Sequence, residues 1–256
     1  MINLIRMDLY RMIKMRGLYV VLVISTILQY LMTRGMVLMF TIGADVTDTP
    51  VLDSDYQFSN IMQTVMGGGF FQLFVGIIVI LFLTKDMHTG FIKSYIGQLK
   101  SRLQYIFSKL ICCAIFLLAY YVLIVVLECL LLAICTDGYE FGDVAELLQI
   151  MGMYYLLQFA LICVFLMFSV LIRSHAGSIM LTVVTSLGFA SMITSILMIF
   201  SYKYDWDIDF DKYLITQQMV QLGEYGIDVG EMVPLALVYI ILSLLISCLV
   251  FRKKDL

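Results

Sequence analysis

Proline is nearly absent from these 256 residues: there are two, against 62% hydrophobic and only 14% charged residues. So little charge and so few helix breakers argue against a water-soluble globular domain. The longest polar loop, 201–231, has 31 residues, which leaves no room for a separate soluble domain. A phosphate-cradling G-x-x-x-x-G-K-[ST] loop is missing, so the chain is not expected to hydrolyse ATP unaided. Neither H-E-x-x-H nor G-x-S-x-G occurs, and the two histidines, His88 and His175, have no Ser or Cys partner at a telling spacing. No catalytic residue, no metal site and no cofactor is therefore expected within this chain, and no nucleic-acid partner. The six cysteines all fall inside apolar runs, where they read as small packing residues and not as disulfides. The first 17 residues are charged throughout and no small-residue cleavage site follows the first apolar run, so a cleavable signal is not expected there.

What the chain does have is six long apolar runs, at about 18–42, 61–84, 108–135, 147–172, 178–200 and 232–251. Each reaches the roughly 20 residues a helix needs to cross ~30 Å of hydrocarbon. They are continuously apolar, with no period-2 alternation, which indicates helices and not a barrel. Thirteen of the sixteen Lys and Arg residues lie in 1–17, in 85–109, at Arg173 and in the tail at 252–254. Fifteen of the nineteen carboxylates lie in the alternating segments 43–60, 136–146 and 201–231. Basic residues near helix ends mark the cytoplasmic side. The expected fold is thus an all-α polytopic membrane protein, a single transmembrane domain over 1–256 with six spans and both termini in the cytosol. The net charge of −3 would then divide as about +10 inside and −12 outside. The stretch 173–177 reads as a tight cytosolic turn, and Gly67-Gly68-Gly69 at the start of the second run as a frayed helix start or a point of close packing.

Two basic amphipathic stretches look fit to lie on the membrane. Residues 2–16 place Ile2, Ile5, Leu9, Met12 and Ile13 near one face, with Arg6, Arg11 and Lys14 elsewhere, as in a helix drawn to anionic headgroups. Residues 89–103 set Phe91, Ile92, Tyr95, Ile96, Leu99 and Leu103 against Lys93, Lys100 and Arg102. Either stretch could serve only as an anchor. The second could also lay its apolar face on a partner protein while its basic residues set orientation.

The run Asp86-Met87-His88-Thr89-Gly90-Phe91-Ile92-Lys93, followed by Ser101-Arg102-Leu103-Gln104-Tyr105-Ile106-Phe107-Ser108-Lys109, resembles the loop between the second and third spans of ABC-2 type exporter permeases. The six-run layout, the basic N-terminal stretch and Arg173-Ser174 are similar too. The likeness is nearest to the small permeases of bacterial peptide-antibiotic immunity and export systems. Its motif covers about 24 residues, 86–109, and is specific for no substrate. The resemblance implies a coupling helix docked on an ATP-binding cassette subunit, with Asp86, Gly90, Phe91, Ile92, Lys93, Tyr95, Ile96, Leu99, Ser101 and Arg102 as the contact residues. It also implies that ATP and Mg are bound by that partner, that a second permease chain completes a homo- or heterodimer, and that the setting is a bacterial plasma membrane. Short re-entrant helices between spans 5 and 6 are a further implication, with Tyr213, Leu214, Met219, Val220 and Leu222 as a partly buried surface.

Charges within or beside the apolar runs give the remaining candidates. Glu128 lies about 20 residues into the third run and Arg34 about 16 into the first, which at ~1.5 Å per residue puts them at similar depth. Ionisable residues there usually face the bundle interior or water. Arg34 and Glu128 are expected either to pair, to line an outer vestibule together, or to reach the outer interface separately. Asp205, Asp207, Asp209 and Asp211 form an outer acidic patch that would concentrate a cationic cargo, or that simply reflects basic residues being kept inside. The functional expectation is the permease half of an ATP-driven exporter of an amphipathic or cationic peptide, antibiotic or lipid-like molecule. The alternatives are a secondary transporter or channel and a non-transporting membrane scaffold or sensor.

Overall fold

The computed structural model describes residues 2–47, 58–67, 69–88, 103–136, 143–172, 174–203, 211–225 and 229–253. Among these the protein is helical, with no strand. The helices are α1 (Ile2–Ile13), α2 (Arg16–Thr47), α3 (Phe58–Gly67), α4 (Gly69–His88), α5 (Leu103–Cys135), α6 (Val144–Ile172), α7 (His175–Ser186), α8 (Phe189–Lys203), α9 (Ile215–Tyr225) and α10 (Val229–Lys253). A short 3₁₀ turn, Asp211–Tyr213, precedes α9.

Four of them contain stretches long and apolar enough to cross a membrane: Arg16–Met39, Gln104–Cys135, Leu147–Ile172 and Gly230–Val250. These fall on the first, third, fourth and sixth apolar runs. The second run is not one straight helix. Ile61–Gly67 and Gly69–Lys85 meet at 50°, and count as a fifth span only if taken together. The fifth run is also broken. Its first part, Ala176–Ser186, is too short to cross alone, and the chain turns at Leu187-Gly188 before α8 begins. Gly188 has φ 75°, a left-handed conformation that a side chain disfavours, so glycine is what permits the break there. Among the described residues, four uninterrupted helices of spanning length are therefore present where six spans were expected. Hydrophobicity alone does not distinguish a continuous span from two half-length helices.

The outward faces are as apolar as the inside. Val23, Ile27 and Leu31 on α2, Leu118, Val122 and Val126 on α5, and Leu237, Ile241 and Leu245 on α10 are all exposed on the single chain. In water such surface would be a large liability. Together with the four long apolar helices it identifies a membrane protein.

The interior is built on α6, which packs against α10 on one side and against α4, α7 and α9 on others. Its Leu157, Ala160, Ile162, Cys163 and Phe165 are fully buried. The turn between α6 and α7 is tighter than expected: α6 runs to Ile172, and Ser174 already caps α7, its Oγ accepting from the Gly177 N–H at 3.4 Å. Between the fifth and sixth runs, α9 folds back onto α3 and α6. Met219 and Leu222 are buried there, whereas Tyr213 and Val220 are exposed. Tyr154 fastens this arrangement, its hydroxyl lying 3.1 Å from the Gln63 carbonyl of α3 and 3.2 Å from the Met219 carbonyl of α9. All six cysteines are free thiols.

Candidate functional site

Three buried polar groupings stand out against this apolar interior. The first joins α1 to the start of α5. Asp8 and Lys109 are each only 1% exposed, with Lys109 Nζ 2.9 Å from Asp8 Oδ1 and Ser108 Oγ donating to Asp8 Oδ2 at 2.8 Å. The ammonium also sits 3.9 Å from the centre of the Phe82 ring and 5.4 Å from that of Tyr105. A cation so placed over aromatic faces and withdrawn from water gains about 2 kcal/mol. Cys112 Sγ adds a contact to the Ile5 carbonyl at 3.5 Å.

This joint adjusts the expected orientation of the first helix without reversing it: of the expected face, Met12 is buried and Ile5 and Leu9 pack against the core. The face turned inward is Leu4, Asp8 and Met12, at a spacing of four, and Ile2 and Ile13 are exposed. Burying an aspartate is unfavourable unless it is paired, and pairing with Lys109 fixes which face points in. Hydrophobicity had placed Ile2 and Ile13 on that face. A spacing-of-four reading of Leu4, Asp8 and Met12 would have centred it correctly.

The second grouping lies between α2 and α5. Glu128 is fully buried; Gln29 Nε2 donates to its Oε2 at 2.7 Å and Thr33 Oγ1 to its Oε1 at 2.8 Å. Gln29 Nε2 also lies 3.2 Å from the Ile124 carbonyl, and Thr33 Oγ1 3.0 Å from the Gln29 carbonyl. Ser25, Gln29 and Thr33 are all buried and recur every fourth residue, so one turn after another of α2 offers a polar group to α5. Arg34, next to Thr33, is level with Glu128 but is exposed and makes no ion pair with it. Neutral donors hold this carboxyl group.

Beside Gln29 is a largely apolar cavity of about 120 Å³. Met32 and Met36 of α2, Phe70, Phe71 and Phe74 of α4, and Tyr120 of α5 line it. Phe71 stacks on Tyr120 with ring centres 5.4 Å apart and meets Tyr121 edge-on at 5.3 Å, which gives the wall a rigid aromatic base. Aromatic and methionine walls with one polar edge suit an amphipathic molecule.

The third grouping surrounds the two helix breaks. A cavity of about 150 Å³ is lined by Gly67, Gly69 and Gln72 from the second run, Ser186 and Gly188 from the fifth, and Thr216 from α9.

The other sequence candidates lie elsewhere. Gly90, Phe91, Ile92, Lys93, Tyr95, Ile96, Leu99, Ser101 and Arg102, and likewise Asp205, Asp207 and Asp209, fall outside the described residues. Asp86 is near the end of α4, and Asp211 opens the 3₁₀ turn. Among the described residues no cluster of three or more His, Cys, Asp or Glu side chains is placed to hold a metal ion. No protein-family model matches the chain. No curated protein matches it either.

Proposed function

We propose that this chain is the membrane permease subunit of an ATP-driven exporter of the ABC-2 kind. It would cross a bacterial plasma membrane six times, with the second and fifth crossings made by broken helices. A separate ATP-binding cassette subunit would supply ATP, Mg and hydrolysis, and a second permease chain would complete the path. The cargo is an amphipathic or cationic peptide, antibiotic or lipid-like molecule, and the biological outcome is resistance to such a compound.

The observation that carries this reading is the buried Asp8–Lys109 joint. Lys109 is the last residue of the stretch that resembles the coupling loop, so force on residues 89–102 enters α5 where α1 is locked to it. The Glu128 bonds to Gln29 and Thr33 tie α5 in turn to α2. Tyr120 and Ile124 of α5 line the apolar cavity together with Gln29 and Met32 of α2, so a displacement of α5 against α2 alters the space available to an amphipathic guest.

Purification of the tagged chain from its native membrane in mild detergent tests this reading. A stoichiometric ATPase subunit that is lost when Phe91, Tyr95 and Ile96 are changed to Asp is the expected result. A preparation free of ATPase overturns it. A second reading, an ion-coupled secondary transporter, draws on the paired breaks in the second and fifth runs, because interrupted helices at corresponding places in two halves often hold the coupled ion. A non-transporting scaffold has no specific observation in its favour.

A further inference from the structure

The cavity at the helix breaks is polar where its surroundings are apolar, and it is built from side chains whose oxygens are unused. Gln72 is 1% exposed, Ser186 2% and Thr216 7%. Each carries a buried oxygen (Gln72 Oε1, Ser186 Oγ, Thr216 Oγ1) with no hydrogen-bond partner among the described residues. A single orphaned oxygen could be incidental. The three side chains that carry these oxygens come from three different helices and all line one cavity of about 150 Å³, which makes a built site. Leaving such groups unsatisfied is unfavourable, so the fold carries a cost here that an occupant would remove.

The backbone has been shaped to permit the site. Gly188 takes its positive φ at the break of the fifth run. At Gly69 a Cβ would stand 2.6 Å from the Ser186 carbonyl oxygen, so only glycine lets the two broken runs approach this closely. The hydroxyl of Ser186 and the amide of Gln72 are thereby brought to one space. From Gly69 to Lys85 is about 24 Å along α4 at 1.5 Å per residue, so with Lys85 at one boundary of a ~30 Å hydrocarbon layer the cavity lies within that layer, about 6 Å from the opposite boundary.

We propose that the paired breaks of the second and fifth runs form a binding site for a singly charged cation, held by Gln72, Ser186 and Thr216. The chemistry of the walls selects this class. Among the described residues no Lys or Arg lines the cavity to favour an anion, and no Asp or Glu lines it to hold a divalent ion. Divalent ions such as Ca²⁺ take about 6–8 oxygens, commonly including carboxylates. Neutral amide and hydroxyl oxygens suit a monovalent ion or a primary ammonium group. Helices α3 and α7 end at the cavity while α4, α8 and α9 begin beside it, so the helix dipoles do not favour a cation and the side-chain oxygens must supply the attraction. The site stands under either functional reading, as a structural ion or as a coupled one.

Thermal unfolding of the purified full-length chain in detergent tests the proposal, in sodium, potassium, ethylammonium or N-methylglucamine chloride at matched ionic strength. A rise of about 3 °C over N-methylglucamine in at least one of the other salts is expected, and it should saturate with concentration. A response to sodium or potassium identifies a free inorganic ion; a response to ethylammonium alone identifies the amine of a larger ligand. The rise should vanish in Thr216→Val and Gln72→Leu and persist in Thr216→Ser. Calorimetric titration of the wild-type chain with the responding salt gives a reading that needs no variant. Equal midpoints in all four salts with no binding heat would mean water alone fills the cavity, and would overturn the proposal. Neither outcome depends on whether an ATPase subunit co-purifies.

Discussion

Asp8 and Glu128 are both buried carboxyl groups on or against α5, yet they keep different company. Asp8 has a full cationic partner in Lys109 and a hydroxyl donor in Ser108. Glu128 has an amide and a hydroxyl, and the nearest candidate cation, Arg34, stays on the exposed face. The first arrangement fixes two helices because either charge left alone would be very costly in that position. The second fastens α5 to α2 through weaker neutral donors that have other bonds available. A rigid joint therefore lies at one end of α5 and a more yielding one toward the other. That gradient suits a helix that is held where it receives force and adjusts where it borders a cavity.

Breaking the stiff end should have the largest effect. Lys109→Met leaves Asp8 buried without its cation and is expected to cost about 3–5 kcal/mol in denaturant unfolding of the detergent-solubilised chain. Asp8→Leu combined with Lys109→Met should recover most of that loss, because the uncompensated charge and not the missing contact dominates. If the double variant is as unstable as Lys109→Met alone, the ion pair does not explain the joint.

The yielding end should respond less. Glu128→Leu strands the Gln29 amide and the Thr33 hydroxyl, a loss of about 1–3 kcal/mol for unsatisfied buried groups. The lower end of that range is expected, since Gln29 keeps the Ile124 carbonyl and Thr33 keeps the Gln29 carbonyl. Glu128→Gln retains an acceptor and should stay within about 1 kcal/mol of the parent. Arg34→Gln should change stability by no more than about 0.5 kcal/mol, as an exposed side chain does. A large loss at Arg34 would contradict the neutral-donor arrangement around Glu128.

Much of this was legible in the residues. Four apolar runs became helices of spanning length because uninterrupted hydrophobicity over more than 20 residues leaves little else possible in lipid. Glu128 stands level with the turn of α2 that carries Thr33 and Arg34, which follows from the fixed rise per residue. Its partners were missed because charge was matched with charge, while Ser25, Gln29 and Thr33 at a spacing of four held the signal. Asp8 was overlooked because a lone acid in a basic helix resembles solvated surface until the partner, a hundred residues away, is known. The breaks at Gly69 and Gly188 were hidden for a different reason. A glycine inside a hydrophobic run is compatible with close packing or with a turn, and only tertiary contact chooses between them.

The exposed pair Lys212–Glu231 completes the comparison, because its geometry nearly repeats that of Asp8–Lys109. The two charged atoms stand 3.0 Å apart, against 2.9 Å in the buried pair, but the side chains are about half exposed. Water screens their attraction, and ordering two long side chains offsets much of what remains. Lys212→Ala should therefore cost no more than about 1 kcal/mol, and the cost should shrink further at high salt. The buried joint, largely shielded from ions, should lose little over the same salt range. A Lys212 effect as large as that of Lys109, and equally indifferent to salt, would mean that distance and not desolvation sets the strength of these contacts. In that case the assignment of Asp8–Lys109 as the stiff end of α5 would lose its physical basis.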